Sequence, residues 1–147
     1  MANLAEYKKA IFNYEILEDF EAGLELIGSE VKSVRGHKAM IDGARVIVRG
    51  GEGFLVGATI PAYQPANMAA DYDAGRNRRL LLNKKELATL MRAEEERGLT
   101  VIPLSFYEKG RLIKVKVAVV RGKKKHDKRE SLKKREADRD IQRAMKR

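Results

Sequence analysis

Arg111-Leu112-Ile113-Lys114-Val115-Lys116-Val117-Ala118-Val119-Val120 alternates along its length: Ile113, Val115, Val117 and Val119 fall on one side of an extended chain, Lys114 and Lys116 on the other. A period of two with β-branched residues on the apolar side predicts a strand that is core on one face and solvated on the other. Working outward, Thr100 to Tyr107 is a second β-rich run, and Glu108-Lys109-Gly110 supplies the reversal between the two. An antiparallel hairpin is therefore expected over 100–120. Upstream, Arg45 to Arg49 and Phe54 to Ala58 flank Gly50-Gly51-Glu52-Gly53, where glycine provides the positive φ of a tight turn. Ile11 to Leu17 and Phe20 to Ile27, separated by Glu18-Asp19, are expected to pair as a first hairpin.

Helical signals interrupt this β pattern. Ser29 is placed to cap a short helix over Glu30 to Arg35 that Gly36 ends. Asn83 with Glu86 three residues on reads as a capping box, and Leu87, Leu90 and Met91 form an apolar stripe before Gly98, predicting a helix over 84–97. Between them, residues 61–79 hold Pro61, Pro65 and Gly75 without periodicity and end in Arg76, Arg78 and Arg79, the pattern of a long functional loop. The fold class is mainly β with inserted helices. About six antiparallel strands close most economically into a small barrel of the oligonucleotide-binding type, because closure spares a sheet its bare edges.

Charge divides the chain. Of a net charge of +10 over 147 residues, +8 sits between Arg121 and Arg147, where 13 Lys and Arg face 5 Asp and Glu. This implies a nearly neutral domain, 1–121, and a cationic tail, 122–147, whose natural counterpart is a polyanion. The tail has no Gly or Pro after Gly122, so helix is its only regular state. Its apolar stripe of Ala137, Ile141, Ala144 and Met145 is too thin to offset the entropy of ordering, so the free tail is expected to be disordered and to become helical on binding. No cysteine is present and only His37 and His126 could supply imidazole, which argues against disulfides, thiolate chemistry and a metal or other cofactor. No apolar run approaches a bilayer span and Met1 to Lys9 lacks the apolar core of a signal peptide, so the expectation is a cytoplasmic protein, a monomer, with no membrane partner.

Several blocks together resemble the small protein B family, the SsrA-binding proteins of bacterial trans-translation: Phe20-Glu21-Ala22-Gly23-Leu24, Gly28-Ser29-Glu30-Val31-Lys32-Ser33, Gly36-His37-Lys38-Ala39, Arg79-Leu80-Leu81-Leu82-Asn83-Lys84-Lys85-Glu86-Leu87, Lys114-Val115-Lys116 and Gly122-Lys123-Lys124-Lys125-His126-Asp127-Lys128-Arg129 with Lys133-Lys134-Arg135-Glu136. The resemblance implies a barrel that grips the tRNA-like domain of transfer-messenger RNA and brings it to ribosomes stalled without a stop codon. It implies a tail that enters the vacant mRNA channel at the small-subunit decoding centre. By position it implies RNA contacts at Glu21 and Leu81, with Arg79 as a phosphate contact and Tyr7 at the start of the domain, where members often carry Asn. It also implies a decoding-centre segment of Gly122, Lys123, Lys124, His126, Asp127, Lys128 and Arg129, continued by Lys133 and Arg135, with Ile141 and Met145 on a distal helix. Ala137 stands where members often carry Trp.

Blander readings bear on the same residues. Glu21 repels phosphate, so a place in an RNA site requires that it accept hydrogen bonds from base amino groups or position a cation; otherwise it is an exposed strand charge. Leu80, Leu81 and Leu82 in one strand cannot all face the core, so at least one is exposed or against a partner. Lys114 and Lys116 suit a solvated face or a phosphate-binding strand. His126, with five cations within three residues, suits base stacking better than proton transfer, and His37 after Gly36 suits a turn. Glu30, Lys32 and Arg35 evoke a nuclease cluster but lack accompanying metal carboxylates, which argues against an enzyme. A general oligonucleotide-binding or ribosomal protein without a rescue role is the alternative, although it does not require the block 122–129.

Overall fold

A computed structural model describes residues 2–64, 66, 70–123, 129, 132–137 and 139. Among these, seven strands form one antiparallel sheet in the order β1-β6-β7-β2-β5-β4-β3: β1 (Asn3–Glu6), β2 (Tyr14–Leu24), β3 (Arg45–Arg49), β4 (Glu52–Val56), β5 (Arg78–Leu81), β6 (Leu99–Lys109) and β7 (Leu112–Gly122). Three helices accompany the sheet, α1 (Ala10–Asn13), α2 (Gly28–Arg35) and α3 (Lys84–Glu95), and residues 132–137 of the tail are also helical. The sheet curls until β3 lies against β6 without pairing with it, a barrel whose seam is closed by side chains rather than by a ladder. At that seam the Glu94 carboxylate of α3 accepts the Val48 N–H at 2.7 Å, so the edge strand β3 does not leave this donor bare.

The expected 100–120 hairpin is present and longer, β6 and β7 pairing from Leu99↔Arg121 to Lys109↔Leu112. Its reversal is the two-residue Gly110-Arg111, with Gly110 at φ 63°, one or two positions later than the expected turn. Ile113, Val115, Val117 and Val119 are buried in the main core as the alternation requires. Ala118 and Val120 on the opposite face are buried too, because α1 lays Ala10 over them beside Ile102. That second covering is why the end of β7 reads as an unbroken apolar run.

The 45–58 hairpin also stands, with Arg49↔Glu52 closing on Gly50 and Gly51 at φ 60° and 76°. Both positions lie in the left-handed region, so the turn has the geometry that matches strand twist. Gly51→Ala is expected to cost about 1 kcal/mol, read as a lowered midpoint in urea unfolding.

Three expectations require correction. The first hairpin does not form: residues 10–13 turn as α1 and β2 runs unbroken through Glu18-Asp19, pairing with β7 from Tyr14↔Gly122 to Gly23↔Lys114 with only a register shift between Ile16 and Glu18. Polar residues there mark the solvated face of one long strand, because β7 offers a continuous ladder partner. The count of about six strands missed β1 and β5, each of four residues and too short for a period: β1 gains its place by pairing with β6, and β5, whose Arg78 and Arg79 were expected to end the 61–79 loop, by pairing with β2 and β4. Helix α2 begins at Gly28, and the residue before it, Ile27, rather than Ser29 occupies the capping position; the Glu30 side chain accepts the Ile27 N–H at 3.1 Å. In α3 the capping box holds, Asn83 Oδ1 accepting from the Glu86 N–H at 2.8 Å and the Glu86 carboxylate from the Asn83 N–H at 3.0 Å.

Candidate nucleic-acid interface

The parity of β5 distributes the leucine run and its arginines. Leu80 is 2% exposed in the core, whereas Leu81 is 50% exposed on the outer face, and Leu82 packs against the core from its edge. Gly23 is the ladder partner of Leu81. A Cβ built on Gly23 would approach the Leu81 Cβ to 3.1 Å, so the bare glycine backbone is what lets Leu81 lie flat against β2. Arg79 shares this outer face and is held between Glu25 at 3.4 Å and Glu52 at 3.3 Å.

The arginine cluster at the end of the 61–79 segment is not one surface. Arg78 is 0% exposed and Arg76 also points inward, both bonding Glu30, itself fully buried. Arg78 donates to Glu30 Oε2 at 2.7 Å through Nη2 and 3.1 Å through Nε, and to the carbonyls of Ala58 and Ala74 at 3.1 and 2.9 Å. The Tyr72 hydroxyl completes the group at 3.0 Å from Glu30. Burial alone would raise the Glu30 pKa, but hydrogen bonds from Arg76, Arg78 and the Ile27 N–H bring it down to about 2. Glu30 is therefore a structural tie from α2 to β5. Arg35, sequentially close, goes instead to Glu108 at 2.8 Å.

Glu21 lies on the same outer face, on β2 itself, two residues before Gly23, the ladder partner of Leu81. It is the register partner of Lys116, which in turn faces Ser105, while Lys114 faces Tyr107. The Tyr107 hydroxyl donates to one Glu21 oxygen and Lys109 Nζ reaches the other at 3.3 Å. The hydrogen bond from Tyr107 holds the Glu21 pKa below the usual carboxylate range, aided by Lys109; burial and the same bond push the Tyr107 phenol up. Glu21 is thus ionised throughout the neutral range. Because the fold lowers this pKa, the favourable interaction is present above the ordinary carboxyl value and is lost as pH falls through the depressed one. Tyr107→Phe is expected to raise the Glu21 midpoint toward the ordinary ~4.3 in a carboxyl-carbon NMR titration; an unmoved midpoint would remove Tyr107 as its cause.

The candidate interface is therefore one sheet face, carrying Glu21, Tyr107, Lys109, Lys114 and Lys116 together with Gly23, Leu81 and Arg79. Tyr107, Lys109 and Ser105 were not singled out from sequence, although the parity of β6 places Ser105 and Tyr107 opposite the buried Phe106 and on the side of Lys114 and Lys116. Tyr7 is half-buried edge-on to Tyr14 with centroids 6.4 Å apart, and lines a neighbouring pocket that shares Asn3, Ser105 and Lys116 with the one beside Glu21. His37 adopts φ 59° in the turn after α2. Gly122 ends β7, and the Lys123 N–H donates to the Asn13 carbonyl at 2.9 Å, rooting the tail beside α1. Arg129, Lys133 and Arg135 are helical and exposed; Lys124, His126, Asp127, Lys128, Ile141 and Met145 lie outside the described residues. Among the described residues no set of three His, Asp or Glu is arranged to hold a metal ion, and no helix is long and apolar enough to cross a membrane.

A curled antiparallel sheet whose outer face mixes cations, an ordered carboxylate and an exposed leucine defines an oligonucleotide-binding-like protein. The sequence profile described as SmpB protein matches residues 4–147, and the chain belongs to that family. Proteins called SsrA-binding protein match it nearly end to end: that of Microcystis aeruginosa is 45% identical over 144 residues, covering 98% of this chain and 94% of its own, and that of Mesoplasma florum is 46% identical over 143 residues, covering 97% and 96%. A solved chain from "tmRNA-SmpB: a journey to the center of the bacterial ribosome" superposes with a TM-score of 0.67 at 38% identity, covering 86% of this chain and 92% of the other.

Proposed function

We propose that this protein binds the tRNA-like domain of transfer-messenger RNA through the outer sheet face and delivers it to stalled ribosomes, where the basic tail senses an empty mRNA channel at the decoding centre. The observation that carries the reading is the convergence of Glu21 of β2 with Leu81 and Arg79 of β5, far from it in sequence, on one solvent-facing surface. Names borne by relatives with near-complete coverage, SsrA-binding protein, support the RNA assignment. The division of labour follows from charge: a body of +2 over residues 1–120 recognises by shape and base contacts, and a segment of +8 over residues 121–147 supplies attraction to polyanionic walls. The protein acts in the cytoplasm as a monomer and catalyses no reaction of its own.

Binding of transfer-messenger RNA measured against an ordinary tRNA tests the assignment; equal affinities would refute it. Within the interface, Arg79→Glu is expected to weaken binding and to flatten the slope of log K against log salt by about 1, the signature of one lost phosphate contact. An unchanged slope would leave Arg79 as no more than the partner of Glu25 and Glu52.

A further inference from the structure

The four bases differ in the order of donors and acceptors on their Watson–Crick edges, and the end of the interface around Glu21 presents one order only. Asn3, Glu21, Ser105, Tyr107 and Lys116 line a pocket of about 340 Å³ open to solvent, large enough for a single base. Glu21 and Lys116 are neighbours across the β2–β7 ladder, so a cation stands beside a carboxylate. Tyr107 and Lys109 take one site on each Glu21 oxygen; each oxygen keeps further acceptor capacity, and the two bonds hold the carboxylate in place. Lys116 is steadied by Asp19 at 3.5 Å.

We propose that this pocket binds an unpaired guanine, its N1–H and N2–H donated to the two Glu21 oxygens and its O6 accepting from the Lys116 ammonium. Guanine alone presents acceptor, donor, donor in that order. Cytosine presents the reverse polarity, uracil sets a carbonyl against the carboxylate, and adenine offers one donor beside a ring acceptor. Paired guanine has this edge occupied, so the pocket selects single-stranded segments. The inference rests on the outer sheet face being the RNA interface, and it gives the carboxylate a purpose within a site that must otherwise repel phosphate.

The test is a tRNA-like domain of transfer-messenger RNA in which unpaired guanines are replaced by inosine one at a time, titrated with the full-length protein. Inosine lacks only the N2 amino group, so at one position wild type is expected to lose about tenfold in affinity. Glu21→Gln is expected to bind the guanine RNA more weakly and to be indifferent to the inosine, whereas Leu81→Ala, weaker on both RNAs, keeps the tenfold ratio. Wild type insensitive to inosine at every unpaired position, or Glu21→Gln retaining the full ratio, would overturn guanine recognition while leaving the interface intact. If neither variant weakened binding, the interface itself would be misplaced.

Discussion

Ending the chain after Gly122 is expected to leave binding to the tRNA-like domain of transfer-messenger RNA nearly unchanged and to reduce peptide tagging on stalled ribosomes to background. Glu21, Leu81, Arg79 and the lysines of β7 all lie within the sheet, and the truncation leaves every ladder of that sheet intact, including the Tyr14↔Gly122 pair at the root of the tail. What the truncation removes is 12 of the chain's 31 Lys and Arg. On the proposed function those charges serve an encounter with a polyanionic channel, and cations of this density also favour non-specific RNA binding, so the ratio of specific to non-specific affinity is expected to rise in the truncated protein. The paired measurements are an equilibrium titration with the RNA and a tagging reaction on ribosomes halted at the end of a message. Parallel loss of both activities, or tagging that survives, would end the proposed division between body and tail.

Glu30→Gln is expected to destabilise the domain by about 3–5 kcal/mol, because it leaves Arg76 and the fully buried Arg78 without their counter-charge. For a chain of this size the melting temperature should fall by roughly 10–20 °C. Arg78→Met alone is expected to be comparably damaging, and the two-site Glu30→Leu, Arg78→Met protein to recover much of the loss, since a buried pair replaced by apolar groups of similar volume no longer strands a charge. The pH dependence has a definite sign. With its folded pKa lowered to about 2, Glu30 contributes in full above its ordinary value near ~4.3 and progressively less as pH falls toward 2. Urea unfolding of wild type and Glu30→Gln should therefore differ most at neutral pH and converge at the acid end; a difference independent of pH would mean that the ionised carboxylate is not its source.

How far these features were legible in the chain depends on whether their cause is local. The β6–β7 and β3–β4 hairpins and α3 follow from alternation, turn glycines and a capping box, all within a few residues of one another. The outward position of Leu81 follows from parity once a strand is granted. The continuity of β2 does not, since Glu18-Asp19 reads as a turn until β7 is present to pair with it. Nor does the fate of Arg76 and Arg78, because the carboxylate that draws them inward is 46 and 48 positions away, on a helix whose own first turn is organised by the same Glu30.

By itself, then, the sequence determined what short-range physics controls: the two hairpins, the longest helix, the separation of a balanced body from a cationic tail, and a family likeness written in contiguous blocks. Tertiary structure alone decided which charges are spent inside and which remain for a partner. Ion pairing and burial act through space across dozens of residues, so three neighbouring arginines could become two internal ties and one surface charge held between Glu25 and Glu52, and a lone glutamate on β2 could become an ordered acceptor held by a tyrosine and a lysine from β6.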